Sequence, residues 1–174
     1  VHRGFTPPSS GALKILNFGE NVSDGGLDLK AEKSWNKEIG IRGNVSFIQF
    51  EYSGYHVAIE DLVAAGRGTV FKNLGKANTM GLETKTIFNL SDLNKLLPNL
   101  DVSYSFLKTE VVEGEIISNV VGSVGNQIDI SGKELPYAPS HTLMAGIYND
   151  FGEKLSLRVD FKYVSKVYTD FENI

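Results

Sequence analysis

The stretch "NLGKANTMGLETKTIF", Asn73 to Phe88, decides how the rest of the chain is read. From Met80 the residues alternate. Met80, Leu82, Thr84, Thr86 and Phe88 fall on one side, with Leu90 beyond them, while Glu83 and Lys85 fall on the other. A period of two is the signature of a β-strand whose faces meet different surroundings. One face is fairly apolar and the other carries charge.

The same period recurs along the chain, and helical periodicity is nearly absent. Its clearest case runs from Leu155 to Val167, where Leu155, Leu157, Val159, Phe161, Tyr163 and Val167 oppose Ser156, Arg158, Asp160, Lys162 and Lys166. Leu100, Val102, Tyr104 and Phe106 alternate with Asp101, Ser103 and Ser105, and a weaker alternation starts at His141. Trp35, Ile39 and Ile41 oppose Asn36, Glu38 and Arg42. Between Val45 and Ile59 the alternation slips, as Ile48, Phe50 and Tyr52 give way to Tyr55, Val57 and Ile59; a β-bulge would account for it. These patterns predict an all-β chain of antiparallel strands near 33–43, 45–59, 76–90, 99–110, 140–149 and 154–169. The one helical candidate is a turn within Ser91 to Leu97, capped by Ser91 or Asp92.

The connections are unequal. Gly43-Asn44, "SDLNKLLPN" and "DFGEK" are short, whereas about 60–75 and 111–139 are long, glycine-rich and weakly patterned. The first 30 residues read as another such loop. Alternating short and long connections suit a transmembrane β-barrel, with tight turns on one side and large loops on the other. About 9–11 residues suffice for a strand to cross. Trp35 and Tyr168 at the loop-side ends, and Phe47 and Phe88 near the short turns, suit two interfacial aromatic girdles. Alternation alone leaves a second arrangement open, a soluble β-sandwich module with the apolar faces buried against each other, and also a passive diffusion porin.

Bulk composition narrows the classes. The 174 residues are 41% hydrophobic and 22% charged, which excludes a disordered or collagen-like chain. A net charge of -4 argues against a nucleic-acid partner. With no cysteine there is no disulfide, zinc-thiolate site or cysteine nucleophile. No apolar run approaches a membrane helix, no signal peptide opens the chain, and Val1 suggests a cut N-terminus.

Four segments, in order, are similar to those of one family. They are "VHRGFTPPSSG", "LDLKAEKSWNKEIGIRG", "NLGKANTMGLETK" and "ELPYAPSHTLMAGIYNDFGEKLSLRVDFKYVSKVYTDFEN". The chain resembles the β-barrel of TonB-dependent outer-membrane receptors, above all the ferric-citrate type. Leu29 to Gly40 matches a family strand entering the barrel from outside, with Ala31 in place of the usual proline. Asn73, Gly75, Lys76, Ala77, Gly81, Leu82 and Glu83 carry the second likeness, and Leu135 to Thr142 the third.

The resemblance implies a transmembrane barrel in the outer membrane of a Gram-negative bacterium, importing a ferric chelate such as ferric citrate or another siderophore. The partners it implies are the chelate, outer-membrane lipid, and the TonB complex reached through a plug domain. No cofactor is implied. Neither the plug nor a terminal aromatic strand is among these residues, so 1–174 reads as an internal piece of the barrel domain, about six strands of the roughly 22 such transporters use. In that setting Glu83 and Lys85 face a hydrated lumen while Leu82 meets lipid.

An anionic chelate would be met at the outer face by cations and aromatics. The loop-side candidates are His2, Arg3 and Phe5 in "VHRGF" and Arg67 in "AAGRGTV"; the plainer role of each is a loop residue satisfied by solvent. His2, His56 and His141 lack metal-ligand spacing, and no metal is expected. "ENVSDGGLDL" lacks the spacing of a calcium loop, and "GSVGNQ" lacks the strand-to-helix setting of a phosphate loop. No Gly-x-Ser-x-Gly elbow is present, so the chain is not expected to be an enzyme.

Overall fold

A computed structural model describes residues 1–7, 29–64, 72–118, 120–152 and 154–174. The strands are β1 (His2–Thr6), β2 (Glu32–Val45), β3 (Ile48–Ala64), β4 (Lys72–Phe88), β5 (Asn99–Ile117), β6 (Gln127–Asp129), β7 (His141–Phe151) and β8 (Leu155–Val164). They form one antiparallel meander in the order β1-β2-β3-β4-β5-β7-β8, with β6 paired to the outer end of β5. No second sheet packs on it among the described residues, which removes the sandwich alternative. All six expected strands are present.

Registers fix the two faces. Ile41 pairs with Tyr52, Tyr52 with Thr84, Thr84 with Tyr104, Tyr104 with Leu143 and Leu143 with Tyr163. That row and its apolar neighbours form a band about nine residues tall, from Phe88 up to Met80 on β4. Its side chains stay exposed even on central strands, Met80 at 46% and Leu82 at 45%. Leu157, Val159 and Phe161 are likewise open on β8. Polar groups on this face find partners within the sheet. The Tyr52 hydroxyl lies 2.9 Å from Thr86 Oγ1, the Tyr104 hydroxyl 2.9 Å from His141 Nδ1, and Thr84 donates to the Tyr104 carbonyl. A surface in hydrocarbon requires such pairing.

The buried apolar residues lie elsewhere. Ala77, Val111, Ile116 and Ile130 are the buried hydrophobics among the described residues, and all stand at the long-loop end. Above the band, β5 continues to Ile117, and 127–140 returns down its edge. Val111 N–H donates to Lys133 O, Gly132 N–H to Val111 O, and Ile130 N–H to Gly114 O. Ile128, Leu135 and Phe171 close over Val111, Ile116 and Ile130. Side chains lock the tail onto this hairpin: Asn173 Oδ1 accepts from Glu134 N–H at 2.6 Å, Asn173 Nδ2 donates to Glu134 O, and Ser118 donates to Glu172. The result is a small packed knob over the loop side of the sheet.

Several expectations are corrected. The two-residue turn joining β2 to β3 is Ser46-Phe47, with Ser46 at φ 54, rather than Gly43-Asn44. Gly43 is a ladder residue opposite Phe50, whose ring lies over it; a Cβ there would stand 3.0 Å from the ring edge. Gly81 plays the same part on the other face, beneath the Tyr55 ring. No bulge interrupts β3 between Ile48 and Glu60. The shifts come at Glu60/Leu62 and Leu62/Val63, around Asp61 at φ 57. The slip in alternation is a change of face: above the band, Tyr55, Val57 and Ile59 sit on the charged side, and Ile59 pairs with buried Ala77, itself opposite Val111.

The strands also reach further into the long connections than the weak patterning suggested, and His2–Thr6 is a strand rather than loop. β8 ends at Val164, so Tyr168 belongs to the tail, where its carbonyl accepts from Tyr137 N–H. Pro136 and Pro139, which lack N–H groups, interrupt the ladder there. The expected helix is a single 3-10 turn, Leu90–Asp92, without a side-chain cap; Ser91 N–H is held by Asn99 Oδ1 at 3.0 Å. "ENVSDGGLDL", apart from Leu29, lies outside the described residues, as does the end of "VHRGFTPPSSG".

Candidate functional site

The face opposite the apolar band carries the chemistry. Glu51 pairs with Lys85 and Lys85 with Ser103; one step along, Ser53 pairs with Glu83 and Glu83 with Ser105. Thr142 and Met144 extend these rows onto β7. Alternation places all of these side chains on one side, where they border a hollow of about 360 Å³. Two carboxylates, one ammonium and several hydroxyls here offer both acceptors and donors to a hydrated guest.

Nearer the short turns, Arg158 bridges two strands. Its guanidinium contacts Asp101 at 3.0 Å and Asp160 at 2.6 Å, and it lies 5.4 Å from the Tyr148 ring centroid. Gly146 makes room: a Cβ there would stand 2.5 Å from the guanidinium and 2.7 Å from the Asp101 carboxylate. Arg158 is thus fully engaged, and two carboxylates around one guanidinium leave the cluster one unit negative. Arg42, Lys85 and Lys162 on this face form no ion pair with other described residues.

The sequence candidates divide. His2 pairs with Asn36 and sits on the charged side. Arg3 and Phe5 pair with Trp35 and Lys33 on the opposite side, and the Arg3 guanidinium lies 5.5 Å over the Trp35 ring. Strand pairing therefore separates His2 from Arg3 and Phe5. Arg67 lies outside the described residues. His141 bonds Tyr104 on the apolar face, and no group of three or more His, Cys, Asp or Glu that could hold a metal occurs among the described residues. Glu83 and Lys85 were legible as lumen-facing from alternation. The Asp101–Arg158–Asp160 bridge was not, because it joins strands separated by a loop of unknown register.

Comparison with known proteins follows the geometry. A family model described as TonB dependent receptor-like, beta-barrel, matches residues 1–174. The chain is 27% identical over 135 residues to the vitamin B12 transporter BtuB of Vibrio vulnificus (strain YJ016), covering 65% of this chain and 22% of that protein. Among solved structures, the copper transporter OprC superposes with a TM-score of 0.66 at 19% identity, over 93% of this chain and 22% of that one. The ferric yersiniabactin uptake receptor FyuA of Yersinia pestis superposes with a TM-score of 0.60 at 18% identity, over 82% of this chain and 20% of that one. These two likenesses concern the fold. The chain spans about a fifth of the length of each relative.

Proposed function

Because this chain belongs to the TonB-dependent receptor family, as part of its β-barrel, we propose that it forms barrel wall in a receptor that takes up a ferric chelate, ferric citrate or another siderophore. The family is one of transport receptors in the Gram-negative outer membrane. The observation that carries the reading is the two-faced sheet, with a lipid-suited apolar band on one side and a charged, hollowed wall on the other.

On this reading Glu51, Glu83, Lys85 and the Asp101–Arg158–Asp160 bridge face a hydrated lumen. Further strands complete the barrel, and a plug domain within it connects to the TonB complex. The chelate is met from the loop side, with His2 the described candidate on the lumen side and Arg67, outside the described residues, a second. Arg3 and Phe5, which face outward, are better suited to the membrane interface than to the chelate. The motif likeness to ferric-citrate receptors supports a ferric chelate over vitamin B12 or copper, the cargoes named for two of the three relatives; the third, FyuA, is named for ferric yersiniabactin. That likeness also favours a gated receptor over a passive diffusion porin.

The test is uptake of radiolabelled ferric citrate by iron-starved cells carrying the intact receptor, with and without a functional TonB system. Saturable, TonB-dependent uptake is expected. Uptake that persists without TonB would leave a passive pore; no ferric uptake, with saturable binding of cobalamin or copper instead, would move the cargo.

A further inference from the structure

The apolar band has a defined upper edge, and the charges above it are layered. The row just below that edge reads Ile39, Gly54, Leu82, Phe106 and His141 across five strands. The next row up reads Lys37, His56, Met80 and Lys108. Two cations therefore stand directly on the rim, with no acid in their row. Acids begin higher: Glu110 in the following row, then Glu60 and Glu113. In those upper layers Lys33 lies 3.6 Å from Asp61 and Lys76 lies 3.1 Å from Glu113, which leaves Glu60 and Glu110 outside the ion pairs. Lys37 and Lys108 have no ion-pair partner among the described residues, and Glu38 faces the other side.

Beneath these cations the band is not flat. A groove of about 480 Å³ runs over Gly54, walled by Ile39, Met80, Leu82 and Phe106, with Lys37 and His56 at its upper lip and Glu38, which alternates to the other face, also bordering it. Gly54 is not there to avoid a clash. A Cβ at this position would meet only the Gly81 carbonyl, at 3.8 Å, which is ordinary contact. What a side chain at 54 would do is fill the groove. An open apolar channel with Lys37 at its lip and Lys108 in the same row beyond it, on a surface that faces lipid, matches an acyl chain carrying an anionic headgroup.

We propose that this groove seats one phosphate-bearing lipid of the loop-side leaflet, an acyl chain lying over Gly54 and the phosphate held by Lys37 and Lys108. Three strand spacings separate the two lysines, roughly 14 Å at the backbone, a gap that two long side chains converging on one headgroup can close. Arg3, stacked on Trp35 one row higher, is a third cation on this face, above the groove. The seat lies on the face away from the proposed chelate path, so it depends on the membrane placement and not on the cargo.

The test reconstitutes the intact receptor in vesicles of phosphatidylglycerol diluted in phosphatidylcholine, extracts it gently, and reads the bound-lipid ratio of the folded protein by native mass spectrometry. Enrichment of phosphatidylglycerol is expected for the wild type. It should fall by about fivefold for each of Lys37→Met and Lys108→Met, while Lys154→Met, at a short turn, leaves it unchanged. Gly54→Leu, which introduces no backbone strain, should lower total retained lipid in the folded protein. Equal enrichment in wild type and lysine variants, an equal loss with Lys154→Met, or full retention with Gly54→Leu would each overturn the seat. Chelate uptake does not enter any of these readouts.

Discussion

Two regions of this sheet follow opposite rules. In the band, apolar side chains such as Ile39, Leu82 and Val159 are exposed at 81%, 45% and 57%, and the charged residues face inward. In the knob above it, Val111, Ile116 and Ile130 are only 1%, 5% and 0% exposed, and charge faces out. The same strand, β5, passes from one regime to the other. The apolar set changes sides between Tyr52 and Tyr55 on β3 and between Phe106 and Thr109 on β5, and the register shifts come higher, at Asp61 and Val112. The solvent changes there, from hydrocarbon to water, and the face that must be hidden changes with it.

The largest expected effect separates the two regions. Ile130→Ala should open the knob by about 2–5 kcal/mol, the usual cost of emptying a buried aliphatic site, and leave the band intact. Amide exchange at Val111 and Gly132 should accelerate while Tyr104, in the central ladder, stays protected. Equal acceleration at all three would mean that band and knob form one cooperative unit. The converse experiment is Val102→Lys, which places a charge on the lipid face of a central strand. It should cost about 2–4 kcal/mol in unfolding from a bilayer, and the knob amides should be indifferent to it. A negligible cost would mean that this face does not meet hydrocarbon.

Asn173→Ala probes what ties the tail to the knob. Asn173 exchanges bonds with both the N–H and the carbonyl of Glu134, so its loss strands two backbone groups. A local loss of about 1–3 kcal/mol is expected, read as faster exchange at Glu134. Unchanged exchange there would show that Phe171 packing and the Ser118–Glu172 bond hold the tail without it.

The contrast also explains what was legible. Inside the band one face is mostly apolar and the other mostly polar, so alternation marks all six strands, and it puts Glu83, Lys85 and Arg158 on the polar side. Above the band neither face is uniform. Thr109 and Val111 are buried with exposed Glu110 between them, and Glu113 and Gly114 follow, so a run of continued strand looked like loop. The slip at Tyr55 suggests a bulge from sequence alone, because a change of face and a change of register leave the same trace in one strand. Only the pairing of Ile59 with Ala77 separates them. His2, Arg3 and Phe5 were grouped by adjacency in a supposed loop; a strand there necessarily sends Arg3 and Phe5 one way and His2 the other.

The smallest effect belongs to the knob's charged rim. Asp129 follows Ile128 at the end of β6, and its Oδ1 accepts the Ser131 N–H at 2.8 Å. The Ser131 side chain and then its N–H hold the Asp129 carboxyl below its ordinary value of 3.8, with slight desolvation opposing them. A carboxyl lowered in the folded state favours folding above its unfolded value, and this contribution fades as pH falls through the folded one. Asp129 is fully exposed, so solvent screens it and the contribution stays small. Following the Asp129 carboxyl carbon by NMR, the midpoint should lie below 3.8 in the wild type. Ser131→Ala should move it part of the way back, because the hydroxyl goes but the N–H remains. A midpoint already at the ordinary value would mean that the turn after β6 is open in solution. The knob would then be held from the Val111 and Asn173 side alone.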